Sequence, residues 1–328
     1  MTTEAPEMAL VARAPADLAR PLPPFVRSAG PEAEAFTREF FAARLPNPNT
    51  RSAYEGAVRR FCSWCEGRGL ELAHVNPVRA AAYVQELGER LSAPSVNLHL
   101  AALRQWFDWL TQRGLFRASP IASVKAPRYS VDEGKTPVLE AKEARALFGS
   151  IAGGDVVSLR DKALLSVMLF GFVRVGAVVK MRVGDFDDSR EGWLVLHEKG
   201  GKERRLPAHH LVRESVRAYL LAAGLAADSD SDAPLFQTSP RHSPALSGRP
   251  MSRQDVWKMV KRRCEAAGLP DDICNHSFRA TGITIHQQRG GDIQEAAKLA
   301  GHKNVRTTQL YNRAGREVAR AEVERVQL

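Results

Sequence analysis

Apolar residues recur every three or four positions between residues 36 and 125, which is the period of an amphipathic α-helix. Four short helices are predicted, and caps are expected at Asn49-Thr50 for the second and at Asn76-Pro77 for the third. The apolar faces consist of Phe36, Phe40, Phe41 and Leu45 in the first helix, Tyr54, Val58, Phe61 and Cys65 in the second, and Val96, Leu100, Leu103, Phe107 and Leu110 in the fourth. Since each face needs a partner to bury it, residues 33–125 are expected to form one helical bundle.

The pattern breaks at residues 126–137, where two prolines, a glycine and mixed charges indicate a linker. Residues 138–328 predict a second domain that is mostly helical. Its one clear β signal is a hairpin, in which residues 193–197 and 204–207 flank a Gly-Gly turn. Residues 227–250 are predicted to be an exposed loop, and Ser252 with Asp255 forms a capping box for the next helix. The fold class is therefore mainly α with a small β-hairpin.

The first 32 residues lack apolar periodicity and are rich in alanine and proline, so a disordered tail is predicted for residues 1–32. An organelle transit peptide would avoid acidic residues, whereas this segment contains Glu4, Glu7 and Asp17.

The formal net charge of +10 points to a polyanionic partner, and by itself it fits DNA, RNA or an acidic membrane surface equally well. Its distribution is more informative, because residues 251–316 hold twelve Lys and Arg against six Asp and Glu, while residues 1–30 are balanced. The longest apolar run, residues 163–173, is too short to cross a bilayer, so no membrane partner is expected.

The four cysteines come without a secretory signal, which favours a reducing compartment. Cys62-Ser-Trp-Cys65 has the spacing of half a zinc site, but a second close pair is missing and both cysteines fall on a predicted helix. Helix packing is therefore the preferred interpretation of this pair, and no metal site is predicted.

Residues suited to phosphoryl transfer lie close together near the end of the chain. His276-Ser-Phe-Arg279 is followed by Gly301-His302 and Tyr311, and upstream Arg174 ends an apolar run and Lys199 lies in the hairpin turn. Two arginines offer planar, bidentate donors for a phosphodiester, and a phenol offers a nucleophile. Taken singly, each residue also fits an ordinary structural role, such as a solvated lysine or a packed histidine.

In its order along the chain, this set resembles the signature of the tyrosine recombinase family of the lambda-integrase type, and most closely its two-domain, Xer-like members. The resemblance extends from about residue 36 to the C-terminus. It implies a SAM-like core-binding domain over 33–125 that clamps DNA, and a DNA breaking-rejoining catalytic domain over 138–328. It also implies site-specific cutting and rejoining of DNA through a 3′-phosphotyrosyl intermediate, with neither metal nor other cofactor.

The resemblance assigns the phosphate clamp to Arg174 and Arg279 and the nucleophile to Tyr311. The family usually has an acidic residue three positions after its first arginine, where this chain has Ala177. That acid supports the catalytic side chains without being one of them, so its absence is expected to affect the tuning of the reaction rather than the reaction itself.

The proton transfers fall to a lysine and two histidines. Lys199 is assigned as the general acid that protonates the leaving 5′ oxygen, and Lys202 in the same turn is the alternative. His276 accepts or orients the proton of Tyr311, and His302 donates to a phosphate oxygen.

The faces of the first domain opposite to the apolar ones carry basic residues. Individually these are solvated charges, but the resemblance implies a collective DNA-binding surface together with Lys202. Its members in the first domain are Arg51, Arg59, Arg60, His99 and Arg104. Trp106 and Trp109 are interpreted as packing residues.

The implied partners are double-stranded DNA at inverted-repeat core sites and further copies of this chain, four in the synapsed complex, with residues 318–328 docking into a neighbouring protomer. The expected setting is the bacterial cytoplasm, in association with the nucleoid. Integration, excision and dimer resolution all use this chemistry. Two alternatives stay open, a type IB topoisomerase-like enzyme that relaxes DNA and a non-catalytic DNA-binding regulator on the same fold.

Overall fold

The structure is a computed structural model, and it describes residues 20–129, 134–189, 191–198, 201–225, 231–240, 243 and 245–311. The chain divides into two compact units, Met1–Ser130 and Val131–Leu328. Each unit has its own apolar core. Among the described residues, no helix combines the length and the apolar character that crossing a bilayer would require.

The first unit is helical. Its elements are α1 (Pro24–Arg27), α2 (Pro31–Glu39), a π-helical turn (Phe40–Arg44), α3 (Pro48–Glu66), a 3₁₀ turn (Leu72–His74), α4 (Pro77–Arg90) and α5 (Ala93–Gln112). The apolar faces predicted for α3 and α5 are confirmed, because all of their members are buried. Phe61 of α3 lies at the centre, with its ring edge-on to Tyr83 and Phe107.

Two tryptophans of α5 pack against α2 rather than facing solvent. The indole Nε1 of buried Trp106 donates to Thr37 Oγ1 at 3.1 Å, and that of Trp109 donates to the carbonyl oxygen of Phe36 at 3.0 Å. Both indole N–H groups therefore have a partner, as buried aromatic donors normally do.

The cap of α3 differs from the prediction by two residues. Asn47, not Asn49-Thr50, is the N-cap, and its side-chain oxygen accepts from the backbone N–H groups of Asn49 and Thr50. Pro48 occupies the first helical position, so Asn47-Pro48 repeats the cap-then-proline order found at α4.

The predicted disordered tail is wrong for residues 20–32. Leu22, Phe25 and Val26 are buried in the first core, and the backbone N–H of Phe25 donates to Glu66 Oε1 at 2.8 Å. A short apolar cluster between prolines is enough to dock this segment, although it is too short to show a period. Residues 1–19 of the predicted tail lie outside the described residues.

The cysteine pair is part of the core of α3. Both thiols are buried, which raises the pKa of Cys62 well above its usual range and that of Cys65 to about 12. Neutral, buried thiols of this kind behave as small apolar side chains.

The second unit is mostly helical around one small sheet. Its helices are α6 (Ala141–Ser150), α7 (Val156–Phe170), α8 (Val175–Val178), α9 (His210–Ala222), α10 (Arg253–Ala266), α11 (Asn275–Gln288), α12 (Ile293–Ala300) and α13 (Val305–Gln309), with a 3₁₀ turn at Val183–Asp185. The strands β1 (Phe186–Asp187), β2 (Trp193–His197) and β3 (Glu203–Pro207) form an antiparallel sheet in the order β1-β2-β3. The predicted hairpin is confirmed as β2 and β3, in which Leu194 pairs with Leu206.

Helix α7 runs through the core, and α11 packs closely against its end. A Cβ atom on Gly282 of α11 would lie 2.1 Å from the carbonyl oxygen of Leu169, so only glycine allows this approach. The contact places the His276–Arg279 end of α11 beside the chain that leaves α7 toward Arg174.

The prediction that residues 227–250 form an exposed loop is wrong for part of the segment. Leu235 and Phe236 are buried in the second core, and the backbone N–H of Leu235 donates to the carbonyl oxygen of Met181. The capping box of Ser252 and Asp255 at α10 is confirmed.

A buried carboxylate links helices α7 and α10 of this unit. Asp161 of α7 is fully buried and accepts hydrogen bonds from Arg160, Arg262 and Arg263, of which the last two come from α10. Its charge is therefore compensated by several guanidinium groups, which is the condition for burying it at all.

Asp161→Ala should lower the free energy of unfolding by about 3–5 kcal/mol, because the arginines lose their common acceptor. Urea denaturation followed by circular dichroism measures this loss. Glu295→Ala is the matched control, since Glu295 and its partner Lys298 are both exposed and such pairs contribute about 0–1 kcal/mol. Equal losses in the two variants would show that Asp161 does not organise the unit.

Candidate active site

The centre of the candidate site is the guanidinium group of Arg279, which is only 1% exposed. It donates to the carbonyl oxygens of Phe172 and Ala300, the latter at 2.7 Å, and to Nε2 of His302. Burial and the neighbouring Arg174 lower the pKa of Arg279 to about 10, while the Tyr311 phenol works in the opposite direction. Arg279 therefore remains charged at neutral pH and joins three segments of the chain.

Phe172 has a φ of +51°, a left-handed conformation that is uncommon for a bulky residue. It lies in the turn between α7 and α8 and offers its carbonyl oxygen to Arg279. Two residues later Arg174 is the N-cap of α8 and is exposed. The strained turn thus serves both arginines of the predicted clamp, because it supplies an acceptor to one and presents the other to solvent.

His302 follows Gly301, which ends α12 in the left-handed conformation with a φ of +62°. Its Nε2 accepts from Arg279, so Nδ1 carries the proton and donates to Thr308 Oγ1 at 2.8 Å. Burial, followed by the charges of Arg279, Arg174 and Arg204, lowers the pKa of His302 to about 4. The imidazole is therefore neutral at physiological pH.

Tyr311 follows Leu310, the C-cap of α13, and its ring is parallel to that of His302 at a centroid distance of 5.8 Å. Its backbone is held from two sides. The hydroxyl of Thr284 in α11 donates to the carbonyl oxygen of Tyr311 at 2.9 Å. The backbone N–H of Gly134 donates to the carbonyl oxygen of Leu310 at 3.0 Å. The nucleophile predicted from sequence thus lies on a segment fixed to the same helix as Arg279.

His276 is exposed in the first turn of α11. The protein packed around its ring, together with Arg279 and Arg174, holds its pKa below the usual range. No hydrogen bond joins His276 to Tyr311, both of which the structure describes, so His276 belongs to the cluster through the shared electrostatic field.

Lys199 lies outside the described residues, and Lys202 is exposed at the end of the hairpin. The carbonyl oxygen of Lys202 accepts from the N–H of Glu198 at 2.7 Å, which closes the base of the turn. The choice between the two lysines stays a prediction.

Ala177, at the position of the family's acid, is buried in α8. In the part of the chain that the structure describes, no carboxylate lies within ion-pair distance of Arg174 or Arg279. The two guanidinium groups are therefore left without a countercharge of their own.

The basic residues of the first unit do not share one environment. Arg51 is buried and its Nε donates to the carbonyl oxygen of Leu45 at 3.0 Å, so its predicted place on an exposed face is wrong. The helical period around Arg51 put it opposite the core of α3, but the chain before α3 folds back over it. Arg104 is half-buried and donates to the carbonyl oxygen of Val124 at 2.6 Å.

The remaining three members are Arg59, His99 and Arg60, and none of them donates a side-chain hydrogen bond to a backbone carbonyl among the described contacts. Arg59 forms an ion pair with Glu55 on α3, and the hydroxyl of Tyr83 lies 3.4 Å from Nδ1 of His99. Burial and the charge of Arg60 lower the pKa of His99. Arg60 is exposed, so it is the member of the predicted surface most available to a DNA backbone.

Four described residues outside the predicted catalytic set support it. Thr308 fixes the His302 tautomer, Thr284 and Gly134 hold the Tyr311 segment, and Arg204 of β3 faces His302 closely enough to lower its pKa. The Thr307-Thr308 pair before Tyr311 was a visible signal in the sequence, whereas Gly134 gave none within its linker.

Two comparisons of sequence decide the family. Residues 33–114 match the phage integrase N-terminal SAM-like domain, and residues 137–317, more than half of the chain, match the phage integrase family. The chain belongs to the phage integrase family. Tyrosine recombinase XerD of Corynebacterium glutamicum is 29% identical to this integrase over 273 residues, which cover 80% of this chain and 86% of the relative. XerD of Bifidobacterium longum is 30% identical over 282 residues, covering 82% and 87%.

Solved structures resemble the integrase in fold. The XerH site-specific recombinase bound to its difH substrate in a pre-cleavage complex has a TM-score of 0.65 and 18% identity, covering 85% of this chain and 81% of that protein. A lambda integrase dimer bound to a COC′ core site has a TM-score of 0.64 and 17% identity, covering 87% and 96%. These likenesses confirm the predicted fold class, a mainly helical two-domain protein with a small sheet.

The pKa of His302 predicts a pH dependence of stability. Because the folded pKa of about 4 lies below the ordinary value of 6.5, only the unfolded chain takes up a proton as the pH falls between these values. The integrase should therefore lose about 2 kcal/mol more unfolding free energy than His302→Gln between pH 7 and pH 4.5. Urea denaturation across this range measures the difference, and parallel curves would contradict it.

Gly134→Ala should loosen the segment that carries Tyr311, since the new Cβ would lie 2.4 Å from the carbonyl oxygen of Leu310. We expect a loss of about 1–3 kcal/mol in unfolding free energy and faster amide exchange in residues 305–311 by mass spectrometry. Gly149→Ala in α6, where a methyl group meets open space, is the control; it should cause no loss of unfolding free energy and leave the exchange of residues 305–311 unchanged. Unaltered exchange in the Gly134 variant would refute the linkage.

Proposed function

We propose that this phage integrase family member is a site-specific DNA recombinase that cuts and rejoins strands through a 3′-phosphotyrosyl intermediate. One observation carries the proposal. The buried guanidinium of Arg279 donates to His302, whose ring is stacked in parallel on that of Tyr311, so a phosphate donor and a phenol nucleophile lie side by side. The XerD relatives, which are named tyrosine recombinases, support the same activity.

The substrate phosphate binds between Arg174 and Arg279. Arg279 donates to two carbonyl oxygens and to His302, and its buried Nε has no acceptor among the described residues. A phosphodiester supplies the missing countercharge and becomes more negative in the pentavalent transition state, where the guanidinium groups stabilise it most. Opening of Arg279 toward the phosphate is therefore part of DNA binding.

Tyr311 attacks the phosphorus atom, which forms the phosphotyrosyl ester and breaks the bond to the 5′ oxygen. His276 accepts or orients the phenolic proton, and its lowered pKa keeps its ring neutral and able to do so. The 5′-hydroxyl of a second strand later reverses the step. Because one phosphate ester replaces another, the reaction consumes neither ATP nor another energy source.

His302 donates to a phosphate oxygen after an exchange of tautomer. In the structure its Nε2 accepts from Arg279 and its Nδ1 donates to Thr308. A hydroxyl is both donor and acceptor, so Thr308 can rotate to donate to Nδ1 and leave the proton on Nε2. The imidazole thereby becomes a neutral donor without taking up a proton, which its low pKa would oppose.

Lys199 protonates the leaving 5′ oxygen, with Lys202 as the alternative general acid in the same turn. Arg59, Arg60, His99 and Arg104 of the first unit contact the DNA backbone as a group. Recombination takes place on inverted-repeat core sites in a complex of four protomers, with residues 318–328, which lie outside the described residues, docking into a neighbour. The proposed setting is the bacterial cytoplasm, at the nucleoid.

Tyr311→Phe should abolish a covalent protein–DNA adduct that the unaltered integrase forms on a nicked duplex built from DNA flanking its gene. The phenyl ring keeps the stacking on His302 but lacks the nucleophilic oxygen, so DNA binding should be unchanged. Denaturing gel electrophoresis detects the adduct, and a filter-binding assay measures affinity.

Tyr129→Phe, which alters an exposed tyrosine, is the control and should form the adduct normally. Relaxation of supercoiled DNA that lacks any core site would instead indicate a type IB topoisomerase-like enzyme. Binding without an adduct on verified, synapsed sites would leave a DNA-binding regulator as the function.

A further inference from the structure

The hairpin that carries Lys199 and Lys202 is joined to the end of α12 by one arginine. Arg204 of β3 donates from Nε to Glu198 Oε1 at 2.9 Å and from Nη1 to the carbonyl oxygen of Leu299. The side chains of Arg204 and Glu198 are only 16% and 25% exposed, so this pair is more enclosed than an ordinary surface ion pair.

Gly301 lets the pair approach the site. It has a φ of +62°, and a Cβ atom there would lie 3.0 Å from Glu198 Oε1 and 3.1 Å from Arg204 Nε. The pair therefore lies directly over the residue that precedes His302. The charge of Arg204 also lowers the pKa values of His302 and Arg279, so it reaches the phosphate-binding groups electrostatically.

Glu198 is the residue before Lys199, and its backbone N–H donates to the carbonyl oxygen of Lys202. Fixing the Glu198 side chain therefore restrains one of the two residues, Glu198 and Lys202, that close the base of the turn. The rest of the hairpin does not need this contact, because its inner face is held in the core by Leu194, Leu196 and Leu206. Beyond these apolar contacts, toward the turn, Arg204 contacts Glu198 and the carbonyl oxygen of Leu299 instead.

We propose that Arg204, acting through Glu198, is a positioning residue that holds the base of the turn, Glu198 and Lys202, at the end of α12, so that the general acid reaches the leaving oxygen. The proposal rests on the proposed function, since it presupposes that a lysine of this turn protonates the 5′ oxygen. Arg204 itself touches neither the phosphate nor the leaving group.

The chemistry of the leaving group distinguishes positioning of the general acid from a role in the attack by Tyr311 or in the phosphate clamp. An alkoxide leaving from phosphorus needs a proton, whereas a thiolate does not, because thiols are far more acidic than alcohols. A nicked DNA with sulfur in place of the bridging 5′ oxygen therefore bypasses the general acid. It leaves the attack by Tyr311 and the clamp by Arg174 and Arg279 as necessary as before.

The experiment compares single-turnover adduct formation on oxygen and sulfur substrates for Arg204→Ala, Glu198→Ala and the double variant. We expect each single variant to be slower by about 10- to 100-fold on the oxygen substrate, the effect of a misplaced catalytic group. The double variant should be no slower than Arg204→Ala, because both changes break one linkage. All three should recover nearly the unaltered rate on the sulfur substrate.

Two further variants serve as controls. Arg205→Ala removes the neighbouring arginine, which lies over Trp193, and should leave both rates unchanged. Arg204→Lys keeps the charge but offers no planar fork to serve Glu198 and Leu299 together, so it should be slow on oxygen only. It also replaces Arg204→Ala should that variant fail to fold, as checked by circular dichroism.

Equal slowing of Arg204→Ala on both substrates would overturn the proposal, since Arg204 would then act on the phosphate clamp or on DNA binding. A normal rate for Glu198→Ala beside a slow Arg204→Ala would overturn it as well. Lys199→Ala and Lys202→Ala test the premise separately, because the general acid is the lysine whose loss the sulfur substrate repairs. If neither is repaired, the assignment of the general acid fails, and absence of any adduct with the unaltered integrase refutes the proposed function.

Discussion

The second unit depends on a positive charge that has been taken out of water. Arg279 is held by a carbonyl oxygen from the turn after α7, another from the end of α12, and the ring of His302. A buried guanidinium is tolerated only when acceptors surround it, so these three segments cannot move independently. The left-handed Phe172 and the glycine at position 282 are local costs of bringing them together.

Two clusters of arginines show how the same side chain serves structure and function. Around Asp161, guanidinium groups share a fully buried carboxylate, and the cluster ties α7 to α10. Around Arg279, carbonyl oxygens and an imidazole take the place of a carboxylate, and Ala177 stands where the family usually has an acid. The first cluster is electrically compensated, whereas the second retains a charge that a phosphate can neutralise.

The same field explains why both histidines of the site stay neutral. Loss of water contact and the charges of Arg279 and Arg174 lower the pKa values of both His276 and the half-buried His302, which keeps one ring able to accept a proton and the other free of excess charge. The positive charge that acts on both rings comes from arginines, whose charge does not vary with physiological pH. The proposed roles of the histidines need no positive charge, since His276 accepts a proton and His302 donates a hydrogen bond as a neutral ring.

The sequence by itself determined the apolar faces of α3 and α5 and the hairpin of β2 and β3, and it supplied the order of the candidate catalytic residues, whose roles stay predictions. Periodicity and capping depend on neighbours within a few positions, so they can be read from the chain. Tertiary structure decided that Arg51 is buried, that residues 20–32 dock on the first core, that Gly134 reaches Leu310 and that Arg204 joins the hairpin to α12. These contacts join residues far apart in the chain, and their partners are selected by packing, which leaves no local pattern in the sequence.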